Sequence, residues 1–232
     1  MGNLMNSSSR SGSPSDSNTL KRFFKKTPIR TILLCGLNHS GKTTLLCNLT
    51  SDLIDSVGDD VEQVSTCPTV GVSLVEINQR TSNRVKWRVW DMSGQGRFRN
   101  LWGYYSGHVQ GLVYVVDVTD SDRIGVSRDE LQMLLDQPRV KESRMPILLF
   151  ANKADMSNMD DERGGVDQTK SKSLSLDNIR LAFGVDSLSQ HHKIKVLSSS
   201  GLTGTGVAEG FGWLSEAIRT SEKAPFRRVA TN

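Results

Sequence analysis

The 232-residue sequence predicts an α/β domain with a six-stranded, mostly parallel sheet that helices cover on both faces. Three observations support this prediction. Strand and helix patterns alternate along the chain, as they do where crossover helices join parallel strands. A glycine-rich loop separates the first apolar strand from the first helix. The chain is also long enough for one domain of about 180 residues that buries about 70% of its unfolded surface.

The apolar patterns predict the elements in order. Short apolar or alternating runs predict six strands, at residues 31–35, 70–77, 85–90, 112–116, 147–151 and 194–197. Helical spacing of apolar residues predicts five helices, at residues 42–53, 98–105, 128–135, 176–183 and 207–218. The polar segment 78–84 between the second and third strands is typical of a turn. Because ligands of such folds bind at the carboxyl ends of the strands, we expect the site in the loops that follow them.

The predicted domain covers residues 31–220 and carries an appendage at each end. Residues 1–20 are rich in serine and poor in apolar side chains, which predicts a flexible tail. Residues 21–30 form a basic segment that includes two phenylalanines, and residues 221–232 form a basic tail. Two polar stretches interrupt the domain. The first, 50–67, directly precedes a motif and is a candidate for function, and the second, 157–173, we interpret as a surface loop.

Charge, cysteines and hydropathy limit the class of protein. The net charge is +4, and the basic excess lies at the two ends. Basic residues among aromatics suit an anionic lipid surface or nucleic acid, and a solvated linker explains the segment 21–30 equally well; nothing else in the chain supports nucleic acid. The three cysteines lack paired spacing, which indicates a reducing compartment. Without an apolar run of membrane-spanning length or a secretory signal, we expect a cytoplasmic protein, soluble or peripheral to a membrane.

The eight residues GLNHSGKT, at 36–43, predict a phosphate-binding loop. Its glycines let successive backbone N–H groups curl around a phosphate, while Lys42 reaches the terminal phosphates and the Thr43 hydroxyl can hold Mg²⁺. The positive end of the following helix adds to the attraction. An ordinary turn before a helix is the alternative, which the strand and helix flanks disfavour. The residues expected to contact nucleotide in this loop are Asn38, His39, Ser40, Gly41, Lys42, Thr43 and Thr44.

The residues after the third strand, DMSGQ at 91–95, suit the chemistry of a terminal phosphate. Asp91 can hold Mg²⁺ through water, and Gly94 can offer its N–H to a γ-phosphate without a side chain in the way. Gln95 is then able to orient an attacking water. By itself this motif is weak, because Asp and Gly also make ordinary turns.

The residues after the fifth strand, NKAD at 152–155, suit a guanine base. The Asp155 carboxylate can accept two bonds side by side, and guanine offers an adjacent ring N–H and amino group. Asn152 can contact the base and tie its loop to the phosphate loop, while the Lys153 stem lies on the ring face. A charged turn is the alternative for this motif alone. The three motifs, each at the end of an apolar strand, together predict a site for GTP or GDP with Mg²⁺.

With these motifs the sequence resembles the small GTPases of the ADP-ribosylation-factor family over residues 30–218. Its most distinctive stretches are PTVG at 68–71, DMSGQGRFRNLW at 91–102 and DEL at 129–131. The resemblance implies a P-loop NTPase fold of the Ras-like kind. It also implies that Thr69 completes Mg²⁺ coordination with Thr43 and Asp91 when GTP is bound.

The resemblance further assigns the moving parts and the base-supporting loop. It implies that switch II begins at Gly94 and Gln95 and that the turn 78–84 is the interswitch hairpin, which slides between nucleotide states. It places the guanine-supporting loop at residues 197–199, so the backbone N–H of Ser198 would meet the base oxygen with Ser199 beside it.

Several positions depart from the family pattern. Asn38 replaces the usual Asp, and His39 replaces a small or amide residue. Either substitution could alter the rate of GTP hydrolysis, or its side chain could simply point to solvent. The segment before Thr69 is longer than in relatives, which leaves the resting shape of switch I open. At the family's effector surface Trp90 and Tyr105 are kept, although both also suit a core. Val72 replaces the usual Phe there.

The motif MSGQGR, at 92–97, is most similar to that of a ciliary branch of the family. That resemblance implies a coat complex of the BBSome kind as effector, an exchange factor, and a location on peripheral membrane at the base of a cilium or flagellum. Gly2 follows Met1, as N-myristoylation requires, although Asn6 stands where Ser or Thr is preferred. The absence of a C-terminal cysteine argues against prenylation. One acyl chain binds marginally, and the basic segment 21–30 would supply a second signal.

We therefore expect a monomeric GTP-binding switch that hydrolyses GTP slowly. Gln95 would orient the water, while Lys42 and Mg²⁺ neutralise charge. No internal arginine is evident for the transition state, so a GTPase-activating partner would supply one. A GTP-bound scaffold that does not hydrolyse is the rival hypothesis, which Asn38, His39 and the long switch I motivate. A P-loop kinase is disfavoured by Asp155 and by the missing acceptor-binding lid.

Overall fold

The computed structural model describes residues 27–54, 69–79, 85–156 and 173–223. Its strands are β1 (Ile29–Cys35), β2 (Val72–Gln79), β3 (Val85–Met92), β4 (Gly111–Asp117), β5 (Ile147–Asn152) and β6 (Ile194–Ser198). Its helices are α1 (Lys42–Ile54), α2 (Asn100–Ser106), α3 (Ile124–Leu135), α4 (Pro138–Ser143), α5 (Leu176–Ala182), α6 (Val185–Leu188) and α7 (Val207–Lys223). Short 3₁₀ turns lie at Gly96–Phe98, Ser121–Arg123 and Ala154–Met156.

The six strands form one sheet in the order β2-β3-β1-β4-β5-β6. Strand β2 runs antiparallel to β3, and the other neighbouring pairs are parallel. The prediction of a six-stranded, mostly parallel sheet is confirmed. Because β1, β3, β4 and β5 point the same way, the loops that follow them meet at one edge of the sheet.

Two apolar cores lie on the two faces of this sheet. Alternate residues of β1 point to opposite faces, so Leu33 joins one core and Leu34 the other. Helices α2, α3 and α5 cover the first core, and α1 and α7 cover the second. The central strands β4 and β5 are buried almost throughout, as near-continuous apolar runs predict for strands covered on both sides.

The ends of several elements differ from the predicted ends. Val70 was expected in β2 but lies before it, 69% exposed, and the next residue, Gly71, has a φ of +76° that interrupts extended backbone. Helix α3 begins at Ile124, four residues before its predicted start, because Ile124 packs against the first core from the first turn. Strand β1 starts at Ile29, and α7 continues to Lys223.

Helices α4 and α6 are absent from the sequence prediction. They contain six and four residues. Each buries one apolar side chain, Val140 in α4 and Val185 in α6. A single buried residue leaves no helical periodicity to detect.

Several predicted features lie outside the described residues. They are the tail 1–20 with Gly2, residues 21–26 of the basic segment, residues 55–68 before switch I, residues 80–84 of the hairpin, loop 157–172 and the tail 224–232. In the ranges that are described, no helix has the length and apolar character needed to cross a bilayer.

Candidate functional site

A cavity of about 570 Å³ opens at the edge of the sheet where the parallel strands end. This volume is within the range of small-molecule sites. Apart from Ser93, its lining consists of predicted site residues, which are Asn38, His39, Gly41, Lys42, Thr43, Thr44, Thr69, Gly94, Gln95 and Lys153. The cavity therefore brings together four segments that are far apart in the sequence.

The phosphate loop is shaped by residues with positive φ. Gly36, His39 and Gly41 have φ values of +141°, +66° and +90°. A Cβ on Gly36 would lie 2.2 Å from the Val115 carbonyl oxygen, so the loop also needs glycine there for close approach to β4. His39 adopts the left-handed conformation with an exposed side chain. Because α1 begins at Lys42, its first N–H groups lack helical partners and can bind an anion.

Lys42 lies at the floor of the loop and is only 7% exposed. Its Nζ donates to the carbonyl oxygens of Gly36 at 3.0 Å and Leu37 at 2.8 Å. Burial lowers the pKa of Lys42 to about 8, and the nearby Asp91 carboxylate opposes that shift. A bound phosphate would supply the negative charge that this buried ammonium group needs.

Three predicted Mg²⁺ ligands meet on one side of the cavity. Asp91 Oδ2 accepts hydrogen bonds from Thr43 Oγ1 and Thr69 Oγ1, each at 3.1 Å, and the two hydroxyl oxygens are 3.3 Å apart. Burial raises the pKa of Asp91, while Lys42 and the two hydroxyl groups oppose the shift. Thr69 comes from the segment before β2, so this contact joins switch I to the phosphate loop.

This oxygen cluster fits a hard cation. Asp91 Oδ1 is buried and has no hydrogen-bond partner, a costly arrangement that a bound cation would relieve. Carboxylate and hydroxyl oxygens are ligands that Mg²⁺ accepts, with water and phosphate oxygens filling its other positions. Within the described ranges, no group of three or more His, Cys, Asp and Glu side chains could hold a metal by itself.

Asn152 ties the phosphate loop to the end of β5. The side chain is 1% exposed, and its Nδ2 donates to the Ser40 carbonyl oxygen at 2.8 Å. Asn152 Oδ1 accepts from Ser199 Oγ at 3.2 Å and from Gly201 N–H at 3.0 Å. The predicted tie between the two loops is therefore present in the geometry.

The loop after β6 contacts Asn152, and the predicted contact of the Ser198 N–H with the base stays a prediction. Ser198 ends β6 with an exposed side chain, whereas Ser199 and Gly201 contact Asn152. A Cβ on Gly201 would lie 3.1 Å from the Leu45 nitrogen, so this loop packs on the start of α1. The sequence prediction omits Gly201, whose contacts with Asn152 and with the start of α1 place it beside the phosphate loop.

Lys153 and Asp155 follow β5 on the far side of the cavity from switch II. Lys153 has a φ of +66°, lines the cavity and pairs through Nζ with Asp117 Oδ2 at 2.5 Å. Asp117 also accepts from Thr119 N–H and Oγ1, which orients the carboxylate. Asp155 lies partly exposed in the 3₁₀ turn that starts one residue later.

Gly94 packs directly on the backbone of the phosphate loop. Its carbonyl oxygen accepts from Asn38 N–H at 3.1 Å and from Arg99 Nε at 2.9 Å. Arg99 in turn pairs with Glu130 of α3 at 2.7 Å, and both side chains are largely buried. Gln95 follows and lines the cavity. The start of switch II is thus linked both to the phosphate loop and to α3.

Comparison with known proteins identifies the family. The family model described as "ADP-ribosylation factor family" matches residues 17–218. The chain belongs to the ADP-ribosylation factor family. It is therefore a small GTPase, a GTP-binding switch whose nucleotides are GTP and GDP.

Two relatives of this GTPase are named for the same member of the family. ADP-ribosylation factor-like protein 6 from Danio rerio is 34% identical over 189 residues, which cover 81% of this chain and 88% of that protein. The solved structure of the Arl6 BBS3 small GTPase from Trypanosoma brucei, with the nucleotide analogue GppNp bound, matches with a TM-score of 0.66. That match has 26% sequence identity and covers 83% of this chain and 99% of the other.

The predicted effector residues of this GTPase lie at the boundary between the first core and the surface. Trp90 and Tyr105 stack with ring centroids 4.8 Å apart, and both are partly buried against the first core with Val72. Tyr104 extends the aromatic row at 5.3 Å from Tyr105 and is 72% exposed. All three predicted residues are thus partly buried, and their role at an effector surface stays a prediction.

The sequence prediction for this GTPase missed Arg123, which contacts the phosphate loop from the start of α3. Its Nη1 donates to Asn38 Oδ1 at 3.0 Å, and its Nε donates to Asp120 Oδ2 at 2.6 Å. Asp120 and Arg123 are three residues apart just after β4, a charged pair at a strand end that could have marked them. Arg123 is absent from the residues that line the large cavity, so the expectation that no internal arginine serves the transition state stays a prediction.

Proposed function

We propose that the protein is a switch that hydrolyses GTP slowly and recruits effectors in its GTP state. The observation that carries this proposal is the cluster of Thr43, Thr69 and Asp91. Thr69 belongs to switch I, so a ligand held at this cluster fixes the segment before β2. Loss of the γ-phosphate would release that segment.

In this proposal the three oxygen-bearing side chains hold Mg²⁺, which would neutralise charge on the β- and γ-phosphate oxygens. Lys42 moves from the carbonyl oxygens of Gly36 and Leu37 to the phosphates. Gln95 orients the attacking water from the switch II side of the cavity. The Gly94 N–H donates to the γ-phosphate, so both switches respond to that group.

The base would bind at the other end of the cavity. Asp155 accepts from the guanine ring N–H and amino group, and the Lys153 stem covers the ring. Asn152 holds the phosphate loop against this region, and a backbone N–H of the loop after β6 meets the base oxygen. Ser198 and Ser199 remain the predicted residues there, and the contact of Gly201 with Asn152 makes that glycine an additional candidate.

The contacts of two arginines near the phosphate loop support slow hydrolysis. Arg99 pairs with Glu130, and Arg123 pairs with Asp120. An arginine engaged with a carboxylate stabilises little charge in a transition state. We therefore propose that a GTPase-activating protein supplies an arginine and accelerates hydrolysis about a thousandfold or more. An exchange factor would reload GTP.

The proposed effector is a coat complex of the BBSome kind that acts in ciliary membrane traffic. The two relatives named as Arl6 support this proposal, one of them with BBS3 in its name. The partly exposed row of Trp90, Tyr105 and Tyr104 would contact the effector. The corresponding location is cytoplasmic and peripheral to membrane at the base of a cilium or flagellum.

An anionic membrane is the proposed surface on which the switch acts. Arg30 at the start of the domain pairs with Glu222 near the end of α7 at 2.5 Å, and Gln110 also donates to Glu222. The described ends of the two basic segments, Arg30 and Glu222, are therefore in contact. Their charges would add on one membrane surface, with an acyl chain on Gly2 as the second signal.

The test of guanine recognition is an exchange of base specificity. We expect the purified wild-type protein to release GTP or GDP on denaturation and to bind GTP but not ATP. Asp155→Asn should lose most guanine affinity and gain xanthine nucleotides, whose ring has a carbonyl in place of the amino group. Asp186→Asn, which changes an exposed carboxylate on α6, should keep guanine specificity. An unchanged preference of Asp155→Asn for guanine over xanthine would contradict the proposal.

A GTP-bound scaffold without hydrolysis is the second candidate. The observation that favours it is the engagement of Asn38 by Arg123, which alters the loop where relatives have Asp. Single-turnover phosphate release with excess activating protein separates the two functions. Measurable release excludes the scaffold, and a pull-down with GTP-locked and GDP-locked forms would then identify a partner that binds only the GTP state.

A further inference from the structure

Asn38 lies between the large cavity and Arg123, the residue before α3. On one side it lines the large cavity with Gly94 and Gln95. On the other side its Oδ1 accepts from Arg123 at 3.0 Å, and its carbonyl oxygen lies 3.4 Å from the second guanidinium nitrogen. The arginine thus holds both the side chain and the backbone of this residue.

The bond to Arg123 fixes the amide group of Asn38. An amide has an acceptor oxygen and a donor nitrogen on the same carbon, and a guanidinium group can only donate. The oxygen must therefore face Arg123, and the amide nitrogen faces away from it. In the described part of the chain, no residue accepts a hydrogen bond from Asn38 Nδ2.

Asn38 lies where the start of switch II meets the phosphate loop. Asn38 N–H contacts the Gly94 carbonyl oxygen, so the residue is next to the start of switch II. Lys153 follows β5, and β3 and β5 lie on opposite sides of β1 in the sheet. Lys153 and switch II are therefore on opposite sides of the phosphate loop. A third phosphate would therefore come closer to Asn38 Nδ2 than the base or the ribose would.

We propose that Asn38 is a specificity residue for the γ-phosphate and that Arg123 is its positioning residue. This inference rests on the proposed function of the cavity. Asn38 Nδ2 donates to a γ-phosphate oxygen in the GTP state, and that contact is absent with GDP. Arg123 does not contact the nucleotide, since its own charge is paired with Asp120.

The substitution that removes the donor without adding a charge is Asn38→Ala. Asn38→Asp keeps the shape and accepts from Arg123 at least as well, but it has no N–H to offer and its negative charge repels a phosphate. We expect the ratio of GTP to GDP affinity to fall by about tenfold in Asn38→Ala, the usual value of a hydrogen bond to a charged group, and further in Asn38→Asp. GDP affinity should change little in Asn38→Ala, because the lost contact involves only the third phosphate.

The role of Arg123 is tested by a double-mutant cycle. Arg123→Gln should lower the same affinity ratio by about threefold, because the Asn38 amide is then free to rotate. In an Asn38→Ala background, Arg123→Gln should have no further effect on the ratio. Arg128→Gln removes an exposed arginine of α3 that pairs with Asp129, and this matched control should keep the wild-type ratio.

The measurement uses the full chain with Mg²⁺, fluorescent GDP and a fluorescent, non-hydrolysable β,γ-imido GTP. A ³¹P NMR spectrum of the bound analogue should show the γ-phosphorus signal shifted in Asn38→Ala and the α-phosphorus signal unchanged. An unchanged affinity ratio in Asn38→Ala would overturn the inference while leaving the proposed function intact. Additive effects of Arg123→Gln and Asn38→Ala would also overturn it. A wild-type protein without affinity for either nucleotide would overturn both.

Discussion

At the residue scale, Gly94 is where switch II meets the phosphate loop. Its carbonyl oxygen accepts two hydrogen bonds, and its Cα faces the loop backbone so closely that a Cβ would lie 2.3 Å from Asn38 N and 2.3 Å from Leu37 C. Both atoms belong to the backbone, which cannot move aside like a flexible side chain. Any larger residue must displace switch II.

The Gly94→Ala variant should therefore bind GDP but should not adopt the GTP-bound conformation of switch II. We expect the tryptophan fluorescence change on exchange of GDP for a GTP analogue to be lost, because Trp102 Nε1 donates to the Ser93 carbonyl oxygen at 3.0 Å and reports on this turn. Gly96→Ala is the matched control, since its Cβ would have no neighbour within 4 Å. An intact signal in Gly94→Ala would contradict this role.

A buried histidine gives the protein a stability that depends on pH. His192 is 5% exposed, and its Nδ1 lies 3.3 Å from the Met145 carbonyl oxygen. Burial lowers the pKa of His192 below its ordinary value of 6.5. The unfolded chain therefore binds a proton at a higher pH than the folded protein, so stability present above pH 6.5 is lost as the pH falls below it.

We expect His192→Gln to weaken this loss of stability on the acid side of pH 6.5. The difference in slope is at most about 1.4 kcal/mol per pH unit, the value for one proton. Urea denaturation at several pH values measures it. His191→Gln, a change at the exposed neighbour, serves as control, and the same slope in His192→Gln and wild type would show that His192 is not the group responsible.

At the element scale, α7 approaches the sheet through a glycine. A Cβ on Gly210 would lie 2.5 Å from Phe150 Cζ and 3.0 Å from Leu148 Cδ2, both in the fully buried second core. Two residues on, a Cβ on Gly212 would have no neighbour within 4 Å. The same helix thus contains one glycine required by packing and one that is not.

Alanine substitutions at these two positions should change stability in opposite directions. Gly210→Ala forces the core apart and should cost about 1–3 kcal/mol of unfolding free energy. Gly212→Ala removes backbone entropy from the unfolded chain and should add about 0.5–1 kcal/mol. Chemical denaturation of both variants provides the comparison. Destabilisation by both to the same extent would show that packing at Gly210 is not the cause.

The elements themselves were largely readable from the sequence, and the long-range contacts were not. Strands β4 and β5 are apolar runs, and the phosphate loop has glycines at fixed spacing, so both leave local patterns. Arg123 and Asn38 are 85 residues apart, and no local pattern joins them. The contact of Gly201 with Asn152 was missed for a related reason, because it depends on how two loops pack.

At the scale of the whole molecule, the sheet collects the chemistry on one edge. Five parallel strands end there, and each is followed by residues that line or support the cavity. The contact of Thr69 with Thr43 and Asp91 joins switch I to this edge, and the contact of Gly94 with Asn38 joins switch II. A γ-phosphate between them would be sensed by both.

Single-turnover hydrolysis tests this account most directly. Wild-type protein loaded with GTP and Mg²⁺ should release inorganic phosphate slowly, and Gln95→Leu, which cannot orient water, should reduce that rate by about a hundredfold. Gln110→Leu changes a glutamine outside the cavity and should keep the wild-type rate. Phosphate release that is undiminished in Gln95→Leu, or the absence of release from wild type even with an activating protein, would contradict the account.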